Sequence, residues 1–345
     1  MTGEPAGRII RTVDYHTGGE PFRIVVQGVP HLEGRSVLER RRWARDHVDA
    51  IRHLLVDEPR GHADMYGGFV TPPNDAGADL GVVFFHNEGY STACGHGTIA
   101  LVTWAIDAER VPTTAPETRV VVDVPSGRLE CRARIDDGGR VDAVAFRNVP
   151  SFVLARDVEI ATARGAVHVD VSFGGAFYCS VDVRSVGLDV SRSSLPALIA
   201  LQRELRPALG TRLDPRHPDE PDLAGIYGII FWQAEPSAPD AAFVQRNVTV
   251  FADGEVDRSP CGSGTSARLA LLDAATAGGP LTRGGALVHR SIVDSVFTGR
   301  VVGDGPTLGG TPSVITEVEG SAFRTGAHSF ELDPRDPLGT GFLLR

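Results

Sequence analysis

One heptapeptide occurs twice in this chain and limits its architecture more than any other feature. Cys94-Gly95-His96-Gly97-Thr98-Ile99-Ala100 and Cys261-Gly262-Ser263-Gly264-Thr265-Ser266-Ala267 share the pattern C-G-x-G-T-x-A. Their cysteines stand 167 positions apart in a chain of 345, close to half its length. Each copy runs into a helix-compatible apolar segment, 99–106 and 267–275. A motif repeated at that spacing predicts a duplicated domain, with a cysteine at the start of a helix in each half. Around the helices, short apolar runs at 23–27, 80–85, 119–124, 166–173, 227–232, 247–251, 286–293 and 295–302 read as strands and imply sheets or barrels. Ser36 and Glu39 form an S-x-x-E capping box opening a helix over 36–55, and a second helix is expected at 195–205. Proline-rich breaks fall at 111–118, 206–222 and 234–240, and residues 205–223 read as an exposed excursion.

Composition removes several function classes. All 34 basic residues are arginine, so chemistry that needs a side-chain amine is absent: no pyridoxal phosphate imine, no lysine-imine aldolase, no Walker A lysine. A formal charge of −10 repels phosphate backbones and anionic lipid, which argues against nucleic-acid and membrane partners and for a small-molecule one. The opening residues carry no apolar signal region, and the longest uncharged apolar stretch, 223–232, falls far short of the roughly 18 residues a bilayer span requires. A cytoplasmic location is expected. The four cysteines show no C-x-x-C spacing and the 11 histidines no H-E-x-x-H, so neither a disulfide scaffold nor a metal site is expected. Cys131 and Cys179 lie in strand-like segments and read as packing residues.

The position of the paired cysteines suggests their chemistry. Unpaired N–H groups and the positive dipole end at a helix N-terminus are expected to lower a thiol's pKa from about 8.5 toward neutrality. The glycines that follow let backbone amides approach a carboxylate closely. If the two halves face one bound anion, one cysteine as thiolate takes the α-proton while the other as thiol supplies a proton to the opposite face. That is cofactor-independent racemisation or epimerisation. The run 262–267 also fits G-x-G-x-x-A, but Pro260 precedes it and no acidic residue lies near twenty positions beyond, which argues against a dinucleotide site.

At this point the sequence resembles the proline racemase family. NEGYSTACGHGTIAL at 87–101 and VDRSPCGSGTSARLA at 256–270 are similar to its two active-site motifs, with HTGGEPFRIV at 16–25 and EPRGHADMYGG at 58–68 in support. The resemblance implies an α+β, diaminopimelate epimerase-like fold of two pseudo-symmetric barrel-like β domains, each around a central helix, with the active site between them. The first would span 1–149, completed by 325–345, and the second 150–324. It implies Cys94 and Cys261 as the acid–base pair, and Gly95, His96, Gly262 and Ser263 as ligands of the substrate carboxylate and its polar neighbours. Asp257 would hold the ring ammonium, and Tyr66 and Phe251 would form pocket walls. No cofactor is implied, and the partner would be a small imino acid.

The departures bear on the substrate. Ala93 stands where methionine is common before the first cysteine, and the NEGYST and RGHADMYG segments resemble the trans-3-hydroxy-L-proline dehydratase branch. That branch usually carries threonine in place of the second cysteine, because elimination of a β-hydroxyl needs one base only. Cys261 therefore favours two-sided proton transfer on proline or a hydroxyproline, with dehydration of trans-3-hydroxy-L-proline as the alternative. An amino-acid binding protein without turnover is a third reading. A monomer and a homodimer are both compatible with the duplication.

Overall fold

The computed structural model describes residues 9–236, 243–273 and 279–344. The chain divides into two compact units, Met1–Val144 with Ser321–Arg345, and Ala145–Gly320. The boundaries expected from sequence, 149/150 and 324/325, fall a few residues C-terminal of these divisions. In place of a linker, the chain leaves the first unit within one continuous strand, β7 (Val141–Arg147).

In the first unit, β1 (Ile9–Thr17) and β2 (Glu20–Gln27) form a hairpin, and the chain crosses through α1 (Val37–His47) and α2 (Asp49–Val56) to β3 (Tyr66–Thr71). It continues through β4 (Leu80–His86), α3 (Gly95–Asp107), β5 (Glu117–Val124) and β6 (Gly127–Ile135), and β17 (Ala322–Glu331) returns from the far end of the sequence. The ladder runs β17–β1–β2–β3–β4–β5–β6. Its pairings are antiparallel except β2–β3 and β4–β5, the two joined by helical crossovers. The helix α3 packs against β1, β2, β3, β6 and β17, and every residue from Gly95 to Ile106 is buried. A helix apolar all round belongs in an interior.

The second unit repeats this plan. Its strands are β8 (Ser151–Thr162), β9 (Gly165–Phe173), β10 (Phe177–Asp182), β11 (Ile226–Ala234), β12 (Phe243–Phe251), β13 (Glu255–Asp257), β14 (Ala286–Arg290), β15 (Val296–Asp304) and β16 (Ser313–Gly320). The helix α4 (Leu195–Arg212) crosses from β10 to β11, and α5 (Gly262–Leu272) precedes β14. The order β8–β9–β10–β11–β12–β14–β15 shows the same succession of antiparallel and parallel pairings as the first unit. Here β16 pairs both β15 and β8, with Val314 opposite Ser151, so eight strands close into a ring. The helix α5 packs against β8, β9, β10, β15 and β16, and all eleven of its residues are buried.

Local chemistry explains where the elements depart from expectation. Ser36 Oγ accepts from the Glu39 N–H at 3.2 Å, as the capping box predicts, but the expected helix over 36–55 is two helices. Val48, with φ −129° and ψ 18°, leaves the helical region, which redirects the chain so that α1 and α2 each pack on β4. The second expected helix, 195–205, runs on to Arg212, into the segment read as an excursion. Leu198, Leu201, Leu205 and Leu209 continue one buried stripe past Pro207. The strand expected over 286–293 stops at Arg290, where Ser291–Ser295 form a turn held by the 2.8 Å bond from the Ser291 N–H to the Ser295 carbonyl. Parts of the expected helix over 267–275 and of the proline-rich break over 234–240 lie outside the described residues.

Candidate active site

The first unit gathers Cys94, Gly95, His96 and Tyr66. Cys94 is the N-cap of α3, and its Sγ accepts from the Gly97 N–H at 3.2 Å, satisfying one of the amides a helix start leaves without an intrahelical partner. Thr98 fixes the cap from the other side, its hydroxyl donating to the Cys94 carbonyl at 2.8 Å. Both ring nitrogens of His96 lie 3.5 Å from the sulfur. The imidazole is held edge-on by Tyr66 (centroids 4.9 Å) and Phe22 (5.9 Å), and the His96 carbonyl accepts from the Thr17 hydroxyl at 2.9 Å. Tyr66 in turn donates to the Ser91 hydroxyl. Cys94, His96 and Tyr66 are all nearly fully buried.

In the second unit Cys261, Gly262, Ser263 and Asp257 come together. Cys261 is the N-cap of α5 with φ +63°, a left-handed conformation that costs a non-glycine residue on the order of 1 kcal/mol or more. Its N–H donates to Ser259 Oγ at 3.1 Å. Ser259 is itself fixed on Asp257, whose Oδ1 accepts from its N–H (2.8 Å) and its hydroxyl (2.7 Å). The Thr265 N–H donates to the Cys261 carbonyl at 2.7 Å, and the Thr265 hydroxyl meets His289 Nδ1 at 2.8 Å, tying the first turn of α5 to β14. Phe251, at the end of β12, stands one ring further out: it stacks on Tyr227 (centroids 5.3 Å), which meets Tyr178 edge-on (5.6 Å).

The thiol of Cys261 does not follow the expectation of a lowered pKa. Burial pushes it well above the usual thiol range, and the Asp257 charge adds to this, while hydrogen bonds with Tyr178, Gly264 and Thr249 oppose it. Desolvation disfavours the thiolate more than the helix end favours it. Burial likewise lifts Asp257 to about 6, against hydrogen bonds from Ser259 and Cys261 and the charge of Arg258. Cys131 and Cys179, wholly buried in β6 and β10, have thiols raised by desolvation. As inert packing groups, they fit the reading made from the sequence.

Sequence reasoning missed Tyr178 and its counterpart Phe22. The signal was a second internal match: Gly18-Gly19 and Gly174-Gly175 each follow the end of one hairpin strand, and Phe22 and Tyr178 stand at the same offset beyond them. The Tyr178 hydroxyl lies 2.7 Å from Ser263 Oγ and accepts from the Cys261 thiol at 3.7 Å. Close packing makes this possible, since a Cβ on Gly174 would run into the Ser263 carbonyl and the Ala267 amide. Among the described residues no group of three or more His, Cys, Asp or Glu side chains could hold a metal ion. No described helix is long and apolar enough to cross a membrane.

Two duplicated barrel-like units, each with a cysteine capping its interior helix, define an enzyme of the epimerase-like α+β class. The chain belongs to the proline racemase family, whose profile matches residues 12–343. It is 48% identical over 339 residues to a 3-hydroxyproline 2-epimerase of Burkholderia multivorans, covering 98% of this chain and 99% of that one. It is 44% identical over 337 residues to a trans-3-hydroxy-L-proline dehydratase of Bacillus cereus, covering 98% of each. A crystal structure of a hydroxyproline epimerase from Agrobacterium vitis, with bound trans-4-hydroxy-L-proline, superposes with a TM-score of 0.89 at 33% identity. That match covers 98% of this chain and 96% of the other. A Bacillus anthracis protein of the PhzF family shares the fold at a TM-score of 0.56 and 11% identity, covering 93% of this chain and 99% of that one.

Proposed function

We propose that the protein is a 3-hydroxyproline 2-epimerase that inverts the α-carbon by a two-cysteine mechanism. The observation that carries this reading is that Cys261 caps α5 in the second unit as Cys94 caps α3 in the first. Chemistry on one face of an α-carbon needs one such group, and inversion needs two. The reading also reconciles two features of the sequence: flanking segments similar to the 3-hydroxyproline branch, and a second cysteine where that branch usually has threonine. The 48% identity to a relative named for that activity supports it.

In this mechanism one sulfur, as thiolate, takes the α-proton, and the electron pair passes into the substrate carboxylate as an enediolate. The opposite thiol then returns a proton to the other face, so each turnover exchanges the protonation states of Cys94 and Cys261. First-turn amides of α3 and α5, beginning at Gly95 and Gly262, with the side chains of His96 and Ser263, would take up the negative charge that develops on the carboxylate. Asp257, as carboxylate, would pair with the ring ammonium. Tyr66 and Phe251 would wall the ring. A second reading, dehydration of trans-3-hydroxy-L-proline, is favoured by relatives of that name at 44–47% identity.

Proton NMR in deuterated water with L-proline, trans-4-hydroxy-L-proline and trans-3-hydroxy-L-proline separates the readings. Epimerisation of the 3-hydroxy compound appears as loss of its α-signal and growth of cis-3-hydroxy-D-proline. Consumption with formation of a cyclic imine would replace the proposal by the dehydratase. Inversion of only proline or the 4-hydroxy compound would move the substrate, and binding without exchange would leave a binding protein.

A further inference from the structure

The two motif cysteines have different polar partners, and the difference follows one paired exchange. In the first unit the residue two places after the cysteine is His96, and the β2 side chain beside it is Phe22, which offers no polar atom. In the second unit the corresponding motif residue is Ser263, which carries no ring, and the β10 side chain beside it is Tyr178. Each thiol therefore meets a ring-borne polar group, His96 from the helix for Cys94 and Tyr178 from the sheet for Cys261.

We propose that Tyr178 is a positioning residue for Cys261, its hydroxyl bridging Sγ and Ser263 Oγ and reversing its hydrogen-bond direction as the sulfur changes charge. When the sulfur is a thiol, S–H donates to the Tyr178 oxygen (3.7 Å) and the phenol O–H can donate to Ser263 (2.7 Å). When the sulfur is a thiolate, the phenol O–H turns to it and the Ser263 hydroxyl donates to the phenol oxygen. The number of bonds is unchanged, but the one to the charged sulfur is the stronger, so the bridge favours the thiolate. The ring is held in place: Tyr178 is fully buried, packs with Cys261, Ile230 and Ala267, and meets Tyr227 edge-on. The other groups bearing on the sulfur are the Asp257 carboxylate on β13, with Arg258 beside it, the Thr249 hydroxyl on β12 and the Gly264 N–H of α5.

The inference deepens the two-cysteine reading and rests on it for its catalytic meaning, but its main test needs no turnover. Tyr178→Phe installs the residue found at the matching place in the first unit. In the ligand-free protein, the pH dependence of iodoacetamide labelling of Cys94 and Cys261 is followed separately by peptide mass spectrometry. Tyr178→Phe is expected to move the Cys261 midpoint up by about one pH unit or more, or to slow its labelling tenfold at fixed pH, with Cys94 unchanged. With 3-hydroxyproline, α-proton exchange should fall at least tenfold in kcat with KM little changed. Replacing Tyr178 with 3-fluorotyrosine keeps the shape, makes the phenol more acidic and should move Cys261 labelling to lower pH, which covers the case in which the phenylalanine variant misfolds. Labelling of Cys261 unaltered in both variants would overturn the proposal. A shift in labelling without any turnover in the parent protein would leave it standing and overturn the epimerase reading instead.

Discussion

A Cβ atom on Gly97 would stand 2.7 Å from the Sγ of Cys94 and 2.5 Å from the ring of Phe22. The same relationship recurs in the second unit, where a Cβ on Gly264 would stand 2.8 Å from the Sγ of Cys261. The second glycine of the motif is therefore a space requirement: it lets the sulfur lie against the first turn of its helix. Gly→Ala in an ordinary helix stabilises by about 1 kcal/mol. Gly97→Ala and Gly264→Ala are expected to do the opposite, losing about 1–3 kcal/mol through overpacking and at least tenfold in α-proton exchange. Urea unfolding and NMR exchange measure both. A more stable variant would show that the sulfur does not need that space.

The two-cysteine reading separates inversion from elimination. Cys94→Ser should abolish both, since an alkoxide is not populated near pH 7. Cys261→Thr should abolish epimerisation while leaving one base, so that α-proton exchange without inversion, or dehydration of trans-3-hydroxy-L-proline, persists. Chiral chromatography of the products decides it. Full-rate epimerisation by either variant would rule out the paired mechanism.

Asp257 predicts a pH dependence with a defined sign. Its carboxyl is raised to about 6 by burial, whereas an unfolded aspartate titrates near 4. The folded protein holds this proton more tightly, so the contribution of Asp257 to ligand-free stability falls as pH rises from about 4 to about 6 and is level beyond. Substrate binding should move the other way, because pairing with a ring ammonium requires the ionised form: KM should fall as pH rises through about 6. Asp257→Asn should flatten the stability profile over that window and raise KM at pH 7.5 by tenfold or more. An unchanged KM would remove Asp257 from the substrate.

His53 gives a second linkage, away from the cysteines. Hydrogen bonds to Asp49 and Asp57 raise it to about 9, opposed by partial burial and Arg52. A raised histidine contributes its full stability below the unfolded value near 6.5 and loses it as pH rises through about 9. The side chain is 41% exposed, so screening limits the effect to about 1 kcal/mol or less. Thermal unfolding at pH 6.5 and 9.5 should show a smaller difference in His53→Gln than in the parent protein. An identical difference in the two would dissociate the imidazole from stability.

The duplication was legible because it is written in residues chosen for their geometry: a cysteine at each cap, a glycine where a Cβ would strike sulfur, and a threonine whose hydroxyl anchors the first turn, on the Cys94 carbonyl in one unit and on the Pro260 carbonyl and His289 in the other. Strands such as β4 and β12 were legible in their apolar β-branched and aromatic runs. The break at Val48 was not, because a buried valine suits one long helix as well as the turn between two. The role of Tyr178 was hidden because it depends on how closely β10 packs on α5, which the Gly174 contacts permit. For Cys261 the helix start was visible in the sequence, but the depth of burial and the Asp257 charge that reverse its effect on the thiol arise only in the folded unit.

The strand β17 pairs with β1 along nearly its whole length, Ile9 opposite Glu331 through Thr17 opposite Ala322. During synthesis the first unit therefore cannot be completed when its own helices and hairpins have emerged; β1 keeps an open edge until residues beyond 320 leave the ribosome. Meanwhile the second unit can zip its ring shut as soon as Val314 reaches Ser151. The half made first is thus the half finished last, and until then its exposed strand edge is the place where chaperones, or a neighbouring nascent chain, would find this protein.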